Sequence, residues 1–166
     1  SLVDYSIAEE SLYSDDVEKI IKPFNLKEFF KDVFHEGGFD VIVGNPPYNA
    51  KLHELEKKYC QRYALSKGNY NSANLFIERV DVLTKPHGAW TLIDPKSLIY
   101  SEKWVATRNY LRGKLFSAID ASKAFKEFKL EQVIIGCGKA PDMMTTGSIS
   151  KAGNKTFIGK KQLSFT

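Results

Sequence analysis

The feature that most constrains the fold is a short apolar run that ends at two consecutive prolines. Residues 40–44 are an Asp followed by three β-branched residues and a Gly, a composition typical of a buried β-strand. Pro46 and Pro47 lack a backbone N–H and hold φ near about −65°, so the chain must leave the sheet there. Because open α/β sheets bind their ligands beyond the carboxyl ends of strands, the turn at Asn45 predicts a reaction site.

The groups in this turn suit chemistry on an amino group. The Asn45 side-chain oxygen and the Pro46 carbonyl are acceptors whose directions the stiff backbone fixes. Two acceptors on one exocyclic amino group would orient its N–H bonds and raise the electron density on nitrogen, which then attacks an electrophilic methyl. Tyr48 offers a π-face for stacking of a planar ring. Catalysis would rest on positioning and electrostatics, with no metal and no covalent intermediate.

The motif Asn45-Pro46-Pro47-Tyr48 after an apolar strand resembles the catalytic motif of amino-group methyltransferases that use S-adenosylmethionine. The wider pattern resembles adenine-N6 DNA methyltransferases, especially the methylase portion of type II (type IIG) restriction–modification enzymes. Four further segments carry this resemblance: Gly37 to Ile42, Asn74 to Arg79, Lys85 to Gly88, and Asp94-Pro95. It extends over roughly residues 23 to 138.

The resemblance implies S-adenosylmethionine as cofactor and double-stranded DNA with a flipped adenine as substrate. It implies that Asn45 and the Pro46 carbonyl accept hydrogen bonds from the adenine amino group and that Tyr48 stacks on the ring. Pro47 would contact the same base. Asp40 would lie near the cofactor, although a turn contact at the start of the strand is an equal alternative.

Two further substrate contacts follow from the same resemblance. Asp94 ends a strand beside the motif strand and would line the base pocket, or would simply cap the following turn. Similar enzymes sandwich the flipped base with an aromatic residue close to the last strand. Phe128 is the candidate for that role and Phe125 is the alternative, while both could instead be core residues.

The motif alone is not specific to DNA. Ribosomal RNA guanine-N2 methyltransferases and protein-glutamine methyltransferases carry similar tetrapeptides. Methylation of RNA or of a protein glutamine therefore stays open as an alternative function, as does a non-catalytic remnant of such an enzyme.

Alternating helix and strand patterns predict an α/β fold with a mostly parallel sheet. The resemblance implies that this is the Rossmann-like fold of class I S-adenosylmethionine-dependent methyltransferases. We expect helices over residues 15–21, 26–34, 52–65, 73–84 and 102–114. We expect strands over residues 39–44, 89–93, 115–120 and 132–137. The sequence Pro86-His87-Gly88 is expected to form a turn after the fourth of these helices.

The glycine pattern predicts that the fold is partial. A class I methyltransferase needs a glycine-rich cofactor loop after its first strand, but residues 1–36 contain no Gly and no clear strand run. We therefore expect residues 1–138 to form the C-terminal catalytic half of the sheet without that loop, a fragment inactive alone. Residues 139–166 would be a polar basic tail or the start of a DNA-recognition region. An exposed sheet edge would favour self-association.

Composition argues against several other classes. The sequence has no apolar run of 18 residues and no signal-peptide pattern, so neither a membrane nor a secretory interpretation fits. Cys60 and Cys137 are expected as reduced thiols in a bacterial or archaeal cytoplasmic protein, and their spacing to His residues does not suit zinc. The net charge of +4 permits nucleic-acid binding without arguing for it.

Overall fold

One mixed β-sheet organises the structure, a computed structural model that describes residues 24–67, 71–123, 130–138, 143–152 and 155–164. Its strands are β1 (Phe39–Gly44), β2 (Thr84–Pro95), β3 (Leu115–Lys123), β4 (Gln132–Gly138), β5 (Met143–Ala152) and β6 (Lys155–Ser164). They lie in the order β1-β2-β4-β3-β5-β6. The four predicted strands are confirmed, with β2 and β3 longer than expected.

The helices in the described residues are mostly short. They are α1 (Leu26–Phe29), α2 (Lys31–His35), α3 (Glu54–Cys60), α4 (Ser72–Leu83), α5 (Ser97–Tyr100) and α6 (Val105–Leu111), with 3-10 turns at Ala64–Lys67 and Glu102–Trp104. Helix α4 matches its prediction closely. The helix expected over residues 15–21 lies outside the described residues.

Three predicted helices are shorter or interrupted in the structure. The segment predicted as one helix over residues 26–34 breaks at Phe30, where φ is −114° and ψ is 46°. Its predicted N-cap is confirmed, because the Asn25 side chain accepts a hydrogen bond from the Glu28 N–H at 3.1 Å. The helices predicted over 52–65 and 102–114 reduce to α3 and α6; a 3-10 turn begins four residues after the end of α3, and another directly precedes α6.

The sheet is mixed, so the prediction of a mostly parallel sheet is wrong. Strand β1 pairs with β2 in parallel and β3 pairs with β5 in parallel, but β4 lies antiparallel between β2 and β3. The reason is the length of one connection. Residues 124–131 are too few for a crossover between parallel strands, which needs about a dozen residues or more.

The expected turn at Pro86-His87-Gly88 is instead part of β2. The register with β1 shifts there, since Phe39 pairs with Thr84 while Val41 pairs with Ala89. Such an irregularity accommodates Pro86, which has no N–H for the ladder. A side chain on Gly88 would lie 2.7 Å from the Asp40 carbonyl oxygen, so the close approach of the two strands requires glycine at this position.

The hydrophobic core lies between one face of the sheet and helices α4, α5 and α6. Its buried residues include Trp90 and Leu92 of β2, Ile135 and Cys137 of β4, and Leu98, Leu111 and Ile77 of the helices. A partly buried carboxylate links the helical layer to the sheet. Asp81 of α4 accepts hydrogen bonds from Trp90 Nε1 at 3.0 Å, Tyr110 Oη at 2.6 Å and Lys114 Nζ at 2.6 Å.

Strand β1 is not buried as its composition predicts. Within the described residues it pairs only with β2, and the Val41 and Val43 side chains are 65% and 76% exposed. Ile42 points to the opposite face and packs against the core. The apolar run therefore forms an exposed sheet edge with one bare apolar face.

The segment after residue 138 adds strands to the same sheet. Strands β5 and β6 form an antiparallel pair, and β5 lies beside β3. The role of residues 139–166 as a tail or a DNA-recognition region stays a prediction.

Candidate active site

The motif turn follows β1 at the carboxyl edge of the sheet. Asn45 is exposed, Pro46 is buried, Pro47 is exposed and Tyr48 is half-buried. In the described part of the chain, the Asn45 side-chain amide makes no hydrogen bond, so its oxygen and nitrogen face solvent. The register places this turn beside the end of β2, because Gly44 pairs with Leu92. The Asn45 amide, free of hydrogen bonds to the described residues, therefore lies at the carboxyl edge of the strands, where ligands bind in such sheets.

Tyr48 is anchored at its hydroxyl. The Tyr48 hydroxyl donates a hydrogen bond to the Ile93 carbonyl of β2 at 2.8 Å, and the ring packs against the core. Burial, together with the nearby Asp94 carboxyl, raises the pKa of Tyr48 to about 12. The phenol therefore stays protonated at neutral pH and keeps donating, which holds the hydroxyl end of the ring at β2.

A second anchor joins the turn to the first residue of α4. Ser72 is 0% exposed, and its hydroxyl donates to the Pro47 carbonyl at 2.6 Å while accepting from the Ala50 N–H at 3.0 Å. Asn71 caps α4 through the Ala73 N–H at 3.0 Å, which sets the position of Ser72. One buried hydroxyl thereby satisfies two backbone groups on either side of the motif end.

Asp94 lies directly after the residue that anchors Tyr48. Its side chain is 0% exposed, and neither carboxyl oxygen has a hydrogen-bond partner in the described residues. Burial raises the pKa of this carboxyl to about 8. An unpaired buried charge is costly, so the acid is neutral at neutral pH.

Charged groups also occupy this edge. Lys96, two residues beyond Asp94, pairs with Asp120 at 3.1 Å and with Glu131 at 3.7 Å. On the other side of the motif, an open cleft of about 390 Å³ is lined by residues 49–52 and Lys57. The edge around the motif therefore carries lysines as well as acceptors.

The structure brings together only some of the residues predicted for the site. Asn45, Pro46, Pro47 and Tyr48 form one turn, and the end of β2 with Asp94 lies beside it. Asp94 is buried behind Tyr48, not at the surface of an open pocket.

Asp40 and Phe128 are not brought to the turn. Asp40 lies at the amino end of β1, with its side chain 80% exposed and paired with Lys85 at 2.9 Å. Five residues of extended strand separate it from Asn45, a distance of roughly 16 Å. Phe128 and its alternative Phe125 lie outside the described residues. Their roles stay predictions.

Sequence reasoning missed the residues that hold the turn in place. Ser72 and the Ile93 carbonyl contact the turn from 22 to 45 positions away, a distance that no local pattern conveys. One signal was available. An Asn-Ser pair before an amphipathic helix marks an N-terminus, and such termini supply hydrogen-bonding side chains.

The described residues contain no group of three or more His, Cys, Asp and Glu side chains that could hold a metal ion. Cys60 and Cys137 are buried and free. Among the described helices, none has the length and apolar character needed to cross a membrane.

The fold defined by this sheet and turn is that of the class I S-adenosylmethionine-dependent methyltransferases, which confirms the predicted fold class. The structure matches a Listeria monocytogenes protein assigned to that class with a TM-score of 0.59 at 15% identity, over 69% of this chain and 38% of that one. It matches the type IIL restriction–modification enzyme MmeI, solved in complex with DNA, with a TM-score of 0.55 at 18% identity, over 72% of this chain and 18% of that one.

The chain belongs to the Eco57I restriction-modification methylase family, whose model matches residues 3–128. It is 30% identical over 138 residues to the type II restriction enzyme and methyltransferase RM.Eco57I of Escherichia coli, which covers 78% of this chain. The predicted resemblance to restriction–modification methylases is thereby confirmed. The chain spans 4% to 12% of the length of the curated relatives it matches.

Proposed function

We propose that the protein containing this chain transfers a methyl group from S-adenosylmethionine to the N6 amino group of an adenine in DNA, in the cytoplasm of a bacterium or archaeon. The observation that carries the proposal is the exposed Asn45 amide on a turn held by Tyr48 and Ser72. Membership in a restriction-modification methylase family supports DNA as the substrate.

The chain's own residues would orient the acceptor. The Asn45 side-chain oxygen and the Pro46 carbonyl accept hydrogen bonds from the two N6 hydrogens, which raises the electron density on nitrogen and makes its lone pair available for attack. The cofactor, when bound, would supply an electrophilic methyl on a sulfonium and would leave as the neutral thioether when the methyl–sulfur bond breaks. Because the anchored turn does not reorganise during the reaction, its acceptors stabilise the positive charge that develops on nitrogen. The product then loses a proton to water.

Adenine must leave the base stack to reach this turn. An exocyclic amino group inside a duplex cannot be approached by two protein acceptors, so enzymes that modify bases flip them out. Tyr48 offers the face of its ring to the flipped base, and its hydroxyl bond to Ile93 prevents the ring from turning aside.

The described residues fit the acceptor half of the site and not the cofactor half. No glycine-rich turn precedes β1 in residues 24–38, where the only glycines are Gly37 and Gly38 next to the strand. Asp40 lies at the far end of β1 from Asn45. We therefore assign no residue of this chain to the cofactor.

The test is Asn45→Ala in the full-length protein, assayed by tritiated-methyl incorporation into DNA. Loss of one stabilising group of this kind typically costs about 100-fold to 1,000-fold in rate, and we expect at least that. Asn109→Ala is the matched control, since Asn109 is an exposed asparagine on α6. Transfer that survives Asn45→Ala would overturn the role of Asn45. Transfer by the parent protein to RNA or protein, and none to DNA, would overturn the substrate.

A further inference from the structure

Asp94 is a buried acid that the proposed chemistry does not use. Its side chain is 0% exposed and neither of its oxygens has a partner in the described residues. A buried polar group normally costs stability unless it is hydrogen-bonded, so its presence at the reaction edge requires an explanation.

The position of Asp94 points to Tyr48. Tyr48 donates its hydroxyl to the carbonyl of Ile93, the residue immediately before Asp94, at 2.8 Å. Asp94 is also close enough to affect the Tyr48 phenol electrostatically. The Cys137 thiol of β4 is the second titratable group that Asp94 influences. The only cause of the shift at Asp94 is burial, so no charged side chain of the described residues contributes.

We propose that Asp94 is a positioning residue, carried as a neutral carboxylic acid behind Tyr48, whose deprotonation pulls the Tyr48 hydroxyl away from Ile93 and shifts the motif turn. A carboxylate is a stronger acceptor than a peptide carbonyl. Once charged and buried, it recruits a hydrogen-bond donor, and we infer that this donor is the Tyr48 hydroxyl, which already bonds to the adjacent residue Ile93. The ring then moves relative to Asn45. The consequence for methyl transfer rests on the proposed function, whereas the movement of Tyr48 does not.

Asp94, Cys137 and Tyr48 differ in pKa. Burial raises the pKa of Asp94 to about 8. Burial, with smaller contributions from charged neighbours, raises the pKa of Cys137 to about 12, and burial with Asp94 does the same for Tyr48. Of these three groups, only Asp94 is expected to change charge near pH 8, so the Asp94→Asn variant identifies any Tyr48 response that depends on it.

Nuclear magnetic resonance of this chain tests the proposal directly. With ¹³C-labelled aspartate, the Asp94 carboxyl signal should titrate near pH 8 and not near 4. With ¹³Cζ-labelled tyrosine, the Tyr48 signal, assigned by its loss in Tyr48→Phe, should shift with the same midpoint. Asp94→Asn keeps the shape of the neutral acid and should remove that shift. Asp120→Asn, at an ion-paired carboxylate on the same edge, should leave it unchanged.

Two results would overturn the proposal: an Asp94 carboxyl that titrates near pH 4, or a Tyr48 shift that persists in Asp94→Asn. The first needs no variant, so a failure of Asp94→Asn to fold does not remove the test. In the full-length protein, methyl transfer should fall above pH 8, and Asp94→Asn should abolish that decline. Absence of methyl transfer at every pH would refute the proposed function and leave the titration of Tyr48 as a separate result.

Discussion

Replacing Ser72 by Ala removes the hydroxyl that joins the motif turn to α4. The hydroxyl donates to the Pro47 carbonyl at 2.6 Å and accepts from the Ala50 N–H at 3.0 Å. A hydrogen bond of this kind contributes about 1 kcal/mol net, so the loss of both lowers the free energy of unfolding by about 2 kcal/mol. Since the urea dependence of unfolding is about 2 kcal/mol per molar for a domain of this size, the midpoint should fall by about 1 M.

Ser66→Ala provides the matched control for this experiment. Ser66 is also a buried serine, but its hydroxyl makes a single bond, to the Tyr63 carbonyl at 2.7 Å. Its loss should cost about 1 kcal/mol and move the midpoint by about half as much. Urea unfolding followed by circular dichroism gives both numbers on the same chain.

Hydrogen exchange locates the effect. The Ala50 amide should exchange faster in Ser72→Ala, because its hydrogen-bond acceptor is gone. Its exchange rate should be unchanged in Ser66→Ala. Equal destabilisation by the two substitutions, or an Ala50 amide that is indifferent to Ser72, would refute the role of Ser72 as the second anchor of the turn.

Two other predictions concern the core and the sheet edge. Burial opposes ionisation of Asp81, but hydrogen bonds from Lys114, Tyr110 and Trp90 hold its pKa below the usual range. The Asp81 carboxylate therefore stabilises the fold above pH 4, and this stabilisation is lost as pH falls. The thermal unfolding midpoint, measured from pH 3 to 7, should decrease towards acid pH, and Asp81→Asn should make that decrease smaller. The same pH dependence of the midpoint in both proteins would contradict this. At the β1 edge, light scattering should detect concentration-dependent self-association that Val43→Lys weakens and Val82→Lys, on α4, does not. A chain that stays monomeric at high concentration would disprove this edge contact.

The parts of the fold that the sequence predicts correctly are those with local causes. Strand β1 and its stop follow from an apolar run and two prolines, and α4 follows from an N-cap and a 3.6-residue apolar period. The placement of β4 between β2 and β3 does not follow, because strand pairing depends on contacts across the whole sheet. The bulge at residues 85–88 was missed for a related reason. Taken alone, the sequence Pro-x-Gly indicates a turn, and residues 86–88 become part of a strand only because β2 pairs with β1.

The candidate site divides in the same way. The hypothesis that Asn45 and Tyr48 hold the methyl acceptor follows from the tetrapeptide, since functional groups on a stiff turn are evident from residue type, and it stays a prediction. The two anchors could not, because Ser72 and Ile93 reach the turn through tertiary contacts. Asp94 was predicted at the site, but its complete burial is a property of packing that a strand-ending Asp-Pro does not reveal.

Both anchors of the motif turn come from the segment of chain that follows it, before the end of β2. Ser72 and Ile93 lie, with β1 and the turn itself, between Phe39 and Pro95. The residues that hold the turn in place therefore lie within one uninterrupted stretch of 57 positions. Because both anchoring hydrogen bonds lie inside this stretch, a change of sequence outside it removes neither of them.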